Sequence, residues 1–359
     1  MAGRIAGMLG GALAAAAAKG ADLPEDRADT MYHMYSGGGV TAQGPALLIR
    51  KSLADKVSLL GSYYVDMVSN ASIDVVTTAS PYRERRVEYG FGVDYAYRDA
   101  LVTLAATRSR EPDYAANGAS LDVTQDVFGG LSTISLGFSR GWDRVGEHNT
   151  PGFFDSARHY QYRTGLTQIL TPRWIASANL EVVSDDGYLG SPYRRAFVNS
   201  SSVKENDPRT RTSRAVKLRA IGDIGSGSSV RAEYRYFWDT WDIHAHTAEV
   251  GYSRHVGEQW LIDGFVRYYT QRRALFYSDN ATDQTVYISR NRQLAAFHDT
   301  GLGANLSYTV RRVPGRYEIK ANGSYELLRF QYSDFTDIRT GRPYSFNASV
   351  VQVFVSATF

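Results

Sequence analysis

Three side chains near the middle of the chain have the spacing of a metal site. In the stretch FWDTWDIHAHTAE, Asp242, His244 and His246 occupy every second position. Alternate side chains of an extended strand lie on one face, so all three can point toward a single ion. However, Ala248 and Val250 continue the same face and are apolar, so this face is expected to contact lipid. The histidines would then lie at the rim, in a solvated or aromatic-packed hairpin end. We therefore predict no metal site and keep these three residues as the only metal-ligand candidates.

Charged residues of both signs recur at alternate positions along several predicted strands. We predict that they line a water-filled lumen: Arg86, Glu88, Asp94, Glu181, Lys217, Arg219, Arg231, Glu233, Arg235, Asp263, Arg267, Glu318 and Lys320. One interpretation is a set of cross-strand ion pairs that stiffen the wall. The other is a ladder that conducts ions or a polar solute. The mixture of signs argues against a strong preference for anions or for cations.

The composition excludes several kinds of chemistry. With no Cys, the chain has no disulfide, thiolate metal site, covalently attached haem or Cys nucleophile. Ser and His are present, but no spacing selects a catalytic pair, so we predict no catalytic residue, no cofactor and no enzyme. The net charge is only +3, from 40 Lys and Arg against 37 Asp and Glu, which makes nucleic acid an unexpected partner.

The elements that carry these charges are amphipathic strands. In the stretch 230–238, Val230, Ala232 and Tyr234 alternate with Arg231 and Glu233, and the same alternation recurs along most of the chain. No run of apolar residues is long enough for a membrane-spanning helix. The final stretch, FNASVVQVFVSATF, alternates too and ends on an aromatic residue. Phe359 therefore resembles the C-terminal signal by which outer-membrane barrels are recognised for insertion.

The connections between these strands differ in length on the two sides. Short reversals alternate with longer polar loops, which we place at residues 70–83, 111–118, 143–156, 185–210, 277–298 and 333–345. Short periplasmic turns and long extracellular loops are typical of outer-membrane barrels. A soluble all-β sandwich is the alternative, but loop asymmetry and the terminal Phe favour the barrel.

The strand count follows from the need to close the barrel. Fifteen strands can be counted from the one that ends at Lys51, and a closed antiparallel barrel needs an even number. A further strand near residues 31–36 makes sixteen, although fourteen to eighteen also fit. The fold class is thus all-β, a transmembrane antiparallel β-barrel of about sixteen strands.

The N-terminus has the features of a secretory signal. Arg4 precedes an apolar, small-residue stretch, so we predict a signal peptide over residues 1–20, the alternative being an N-terminal helix of the mature protein. Residues 21–29 are predicted to form a periplasmic segment and residues 30–359 a single barrel domain.

Several long segments carry a resemblance to a known family. Among them are EDRADTMYHMYSGGGVTAQGP, ISLGFSRGWD, GLTQILTPRW, DDGYLGSPYR, PRTRTSRA, YRYFWDTWDIHAHTAEVGYSR and RYYTQRRALFYSD. They resemble the proteobacterial proteins grouped as domain of unknown function 3570. The resemblance covers nearly all of the chain from Leu23 to Phe359 and implies an outer-membrane β protein. It implies no activity, substrate or catalytic residue.

These observations together predict a role in the bacterial outer membrane. We expect a channel or a transport or export barrel for ions or small polar solutes. The alternatives are a structural or partner-binding barrel of an envelope complex, which the resemblance would link to redox proteins, and a lipid-modifying enzyme. The expected partners are outer-membrane lipid and lipopolysaccharide, the barrel-assembly machinery and another envelope protein. Inward-folded loops would block the lumen.

Overall fold

The chain forms a closed antiparallel barrel of sixteen strands in a computed structural model that describes residues 21–70, 82–147, 150 and 152–359. The wall consists of β1 (Arg27–Gly37), β2 (Val40–Ala54), β3 (Val57–Asn70), β4 (Tyr82–Tyr97), β5 (Ala100–Arg110), β6 (Tyr114–Val127), β7 (Ser132–Gly146), β8 (Phe154–Thr171), β9 (Trp174–Gly187), β12 (Thr210–Gly225), β13 (Ser228–Asp239), β14 (His244–Val256), β15 (Trp260–Gln271), β16 (Phe297–Val313), β17 (Tyr317–Asp337) and β18 (Arg342–Thr358). Two short strands, β10 (Arg195–Val198) and β11 (Ser201–Lys204), form a separate hairpin in the loop between β9 and β12. The predicted fold class and strand count are confirmed.

The first and last strands close the wall. β1 pairs with β18 from Arg27 opposite Thr358 to Gly37 opposite Ala348. This is the additional strand that closure required, and it begins somewhat before the predicted domain boundary at residue 30. The backbone N–H of Phe359 donates to the carbonyl of Asp26 at 3.0 Å, and Lys51 Nζ lies 5.0 Å from the centre of the Phe359 ring.

The alternation of side chains separates an apolar exterior from a polar lumen. On β13, Tyr234 is exposed on the outside, whereas Arg231 and Glu233 form ion pairs inside. On β15, the exposed Ile262 and Val266 alternate with Asp263 in the same way. An outward apolar face is stable only against lipid, so the exterior is the membrane-facing surface.

The two rims differ in the length of their connections. Near the predicted periplasmic rim, strands are joined by short turns such as residues 55–56, 98–99 and 226–227. The opposite rim carries the long connections 188–209 and 272–296. Two predicted long loops, 111–118 and 333–345, are wrong as loops, because cross-strand pairing extends β6 back to Tyr114 and β17 to Asp337. The predicted loop 70–83 lies largely outside the described residues.

The connection 272–296, which we call the inner loop, folds into the outer half of the barrel. Its residues Ala274, Tyr277 and Leu294 join a buried apolar cluster with lumen-facing Phe330 and Phe346. A short 3-10 helix, Arg292–Leu294, lies within it. The lumen face of β17 and β18 is therefore apolar where the inner loop covers it, a departure from the uniformly polar lumen predicted from alternation. A loop is thus folded inward on this wall, which is the arrangement considered from the sequence as a block of the lumen.

The described N-terminal residues run along the periplasmic rim. The backbone N–H of Ala21 donates to the carbonyl of Arg98 at 2.5 Å, and Lys51 Nζ lies 2.6 Å from a carboxylate oxygen of Asp26. The hydrogen bond from Lys51 lowers the pKa of Asp26 to about 2. The predicted signal peptide, residues 1–20, lies outside the described residues. Among the residues that are described, no helix has the length and apolar character needed to cross a membrane.

Candidate functional site

The lumen contains a belt of ion pairs formed by residues of the same strand, of adjacent strands or of next-adjacent strands. Twelve of the thirteen predicted lumen residues take part in such a pair. The pairs are Arg86–Asp66 at 3.3 Å, Arg86–Glu88 at 3.9 Å, Asp94–Arg50 at 3.4 Å, Lys217–Glu233 at 2.8 Å, Arg235–Glu181 at 3.6 Å, Arg231 with Asp263 and Glu249, Arg267–Asp299 at 3.1 Å, and Lys320–Glu318 at 2.8 Å. The arrangement makes the wall nearly neutral despite its many charges.

Arg219 differs from the other predicted lumen residues. Its side chain is exposed, and it forms no ion pair with any residue that the structure describes. Its cross-strand neighbour Glu233 binds Lys217 instead. Arg219 is therefore a positive charge that faces lumen water without a counterion among the described residues.

Glycine residues on neighbouring strands allow large charged side chains to lie along the wall. Arg231 lies over Gly251 of the neighbouring strand, and a Cβ atom there would overlap its guanidinium group. Arg163, which pairs with Asp122 at 2.7 Å, lies over Gly137 in the same way. Glycine at these positions removes the steric obstacle and lets the guanidinium groups lie against the wall.

Two opposite sides of the lumen wall differ in their exposure to solvent. Thr107 and Asn179, on β5 and β9, are exposed, and a cavity of about 390 Å³ lies against the wall from β5 to β9. On the opposite wall, Phe330 and Phe346 are buried beneath the inner loop. Solvent therefore reaches one side of the lumen and is excluded from the side that the inner loop covers.

Two histidine clusters were not predicted from the sequence. His33 Nε2 lies 2.7 Å from Asp66 Oδ1 and 2.9 Å from Tyr64 Oη, and its ring stacks on Tyr64. His159 lies between two carboxylates, with Nδ1 2.7 Å from Asp185 and Nε2 3.0 Å from Asp143. Their position on lumen faces is detectable from alternation, but their partners belong to strands whose register the sequence does not specify.

The metal-ligand candidates do not converge. His244 Nδ1 is 2.8 Å from Tyr236 Oη and His246 Nδ1 is 2.7 Å from Tyr234 Oη, while His244 Nε2 is 3.6 Å from Asp242. The two imidazole rings thus contact outward-facing tyrosines, as expected for an aromatic-packed hairpin end. Within the described ranges, the one group of three His, Asp or Glu side chains that converges is Glu84, Glu111 and Asp113, at the outer rim.

Comparisons with solved structures show the same architecture. A bacterial polysaccharide outer membrane secretin matches with a TM-score of 0.52 at 11% identity, covering 94% of this chain and 99% of that one. At this identity the likeness concerns the fold alone. A loop-deleted form of OmpT, an outer membrane protein of Vibrio cholerae, matches with a TM-score of 0.49 at 8% identity, covering 93% of this chain and 99% of that one.

The siderophore receptor PirA from Pseudomonas aeruginosa matches with a TM-score of 0.48 at 11% identity, covering 88% of this chain. The chain spans only 60% of the length of that receptor. No curated protein matches the chain.

The family comparison agrees with the resemblance seen in the sequence. Residues 147–325, about half of the chain, match the family described as Protein of unknown function (DUF3570). This segment runs from the end of β7 into β17 and includes the inner loop. The chain is therefore a bacterial outer-membrane β-barrel whose residues 147–325 match the DUF3570 family.

Proposed function

We propose that the barrel is a passive channel for ions and small polar solutes, and that the inner loop narrows its outer half. The observation that carries this proposal is the unequal exposure of the lumen. Thr107 and Asn179 face solvent on the wall opposite the one that the inner loop covers. A polar wall that solvent reaches gives hydrated solutes a surface along which to pass.

The ion pairs support a channel of low charge preference. Because Arg231 is paired with both Asp263 and Glu249 within the wall, the three side chains together keep only a small net charge and attract neither ion strongly at a distance. The exposed Arg219 adds a local positive charge, which favours anions at its level of the lumen. We therefore expect a weakly anion-selective conductance.

The same geometry argues for a role without covalent catalysis. His33 has the carboxylate neighbour that a general base needs, but it is only 1% exposed, so a substrate cannot approach its ring. Both ring nitrogens of His159 already face carboxylates. In this proposal, both histidines are structural members of the lumen wall.

Conductance in a planar lipid bilayer tests the proposal. The full-length barrel is compared with a variant in which residues 276–293 are replaced by a short Gly-Ser linker. The ends of that segment are adjacent, because the N–H of Ala274 donates to the carbonyl of Leu294 at 2.8 Å. We expect steady ion-conducting steps that increase in size in the variant.

The outcomes separate the three classes of function. Silence of both proteins, each shown to be inserted and folded, would contradict the channel and favour a partner-binding barrel. Release of fatty acid from lipid vesicles by a silent preparation would favour an enzyme. Equal conductance of the two proteins would show that the inner loop does not narrow the path.

A further inference from the structure

Five arginines cluster on the outer surface of the barrel near its long-loop rim. They are Arg108 and Arg110 on β5, Arg140 and Arg144 on β7, and Arg158 on β8, and all are exposed. Each has the same parity as an exposed apolar residue of its strand, such as Leu104, Phe138 or Tyr162. They therefore project outward from the wall and not into the lumen. We call these five residues the arginine patch.

The strand register brings members of the patch together. Arg110 and Arg144 both pair with Ala115, one from each side of β6. Because adjacent strands lie about 4.8 Å apart, the two backbones are about 10 Å apart, within the joint reach of two arginine side chains. Arg158 lies opposite Trp142, between Arg140 and Arg144 along β7. The patch can thus present several guanidinium groups to one anionic headgroup.

The patch has almost no counterion from the protein. Arg108, Arg110, Arg140 and Arg144 form no ion pair with any residue in the described part of the chain, whereas Arg158 lies 2.7 Å from Asp186. The outward positions of β6 between them carry no carboxylate, only Ala115, Asn117, Ala119 and apolar or amide residues below. Four exposed like charges repel one another unless an external anion binds.

The height of the patch matches the headgroups of the outer leaflet. Arg140 is eight residues from the start of β7 at Ser132. With a rise of about 3.4 Å and a tilt of about 40°, that places it about 20 Å above the periplasmic end, near the edge of an apolar band about 25 Å tall. Aromatic residues adjoin it: the Arg140 guanidinium lies 5.6 Å from the centre of the Tyr160 ring. Such amphipathic rings belong at the lipid–water interface.

Outward arginines on the far wall have different surroundings. Arg329 on β17 is bonded to Asn347 at 3.0 Å and to Ser345 at 3.3 Å, both on the neighbouring strand. Its outward neighbours on β16 include His298 and Thr300 and no further arginine. The surroundings of Arg329 thus differ from those of the arginine patch.

We propose that the arginine patch binds the phosphate groups of lipopolysaccharide in the outer leaflet. Guanidinium groups bind phosphate through paired N–H donors, and several around one headgroup give both affinity and orientation. The patch gives the lipid partner expected from the sequence a specific place on the wall. It lies on the outside of the barrel, so it does not depend on whether the lumen conducts.

Binding of defined lipids to the detergent-purified full-length barrel tests this site. The probes are diphosphorylated lipid A and the same lipid with both phosphates removed, and bound lipid is counted by native mass spectrometry. We expect the wild-type protein to retain the phosphorylated form preferentially. Substituting Arg110→Gln and Arg144→Gln together should weaken that binding by about tenfold or more, because charge-assisted hydrogen bonds are lost.

Matched variants make the result specific. Arg254→Gln with Arg316→Gln removes two exposed arginines from the short-turn rim and should leave lipid A binding unchanged. Arg108→Gln with Arg140→Gln should show the same phosphate-dependent loss as the first pair, which guards against misfolding of one variant. Equal retention of both lipids by the wild type, or equal losses in patch and control variants, would overturn the proposal.

Discussion

Arg231 reaches Asp263 across the backbone of Gly251, so one ion pair joins three consecutive strands, β13, β14 and β15. Asp263 also accepts hydrogen bonds from Ser253 at 2.6 Å and from Asn305 at 2.7 Å. The carboxylate thereby gathers groups from four strands, and the missing side chain at position 251 makes the arrangement sterically feasible.

Substitution of that glycine should therefore disturb the wall. Gly251→Ala places a methyl group where the Arg231 guanidinium lies, and we expect a loss of about 1–3 kcal/mol in unfolding free energy from overcrowding. Gly323→Ala on β17 is the control, since nothing lies within 4 Å of its added Cβ atom. Urea unfolding in lipid vesicles measures both, and equal effects of the two substitutions would contradict the steric argument.

The charges of Arg219 and Arg231 should have separable effects on conduction. Arg219→Gln removes an exposed charge without breaking any ion pair among the described residues, so the reversal potential should shift toward cations with little change in thermal stability. Arg231→Gln should shift it in the same direction but also destabilise the barrel, because Asp263 and Glu249 lose their partner. If these arginines serve only to join neighbouring strands, their substitution will lower the thermal stability of the barrel and leave its ion selectivity unchanged.

The two faces of the wall should respond oppositely to a new charge. Leu218 is 50% exposed on the outside, and Leu218→Arg should raise the free energy of insertion by about 2–4 kcal/mol near the bilayer midplane. Thr107→Arg, on the exposed lumen wall, should insert normally and change only conduction. The fraction of folded barrel in vesicles, read from its gel migration without heating, compares them. Normal insertion of Leu218→Arg would mean that the faces are inverted.

The contact between the inner loop and the connection 188–209 should depend on pH. Burial raises the pKa of Glu205 to about 7 and that of Asp207 to about 6, although the charge of Arg194 lowers both and that of Arg211 lowers the pKa of Asp207. Glu205 also accepts a hydrogen bond from the backbone N–H of Arg290 at 2.7 Å, which joins the two loops.

Both carboxyls bind protons more tightly when the loops are docked, so docking is strongest below their ordinary pKa values near 4. It should weaken as the pH rises from about 4 to about 7 and then level off. Hydrogen exchange of residues 272–296 should therefore be slower at about pH 5 than at about pH 8, beyond the intrinsic rate change. Glu205→Gln with Asp207→Asn should remove that difference. Its persistence in the variant would assign the effect to other groups.

The sequence by itself determined the architecture of the wall. The period-two alternation on stretches such as 230–238 depends only on local backbone geometry, so it was readable without knowing any neighbour. The requirement for an even strand count then located β1 near Met31, because an unpaired edge cannot remain in lipid. Alternation also placed twelve charged residues where they form ion pairs in the lumen.

Only the tertiary structure decided which charges meet and where solvent can pass. Glu233 binds Lys217, although Arg219 lies directly opposite it on β12, and Arg219 forms no ion pair with any described residue. The inner loop is buried because Phe330 and Phe346, on strands later in the chain, provide its apolar partners. Such contacts arise from barrel closure, which joins residues far apart in sequence, and no local pattern encodes them.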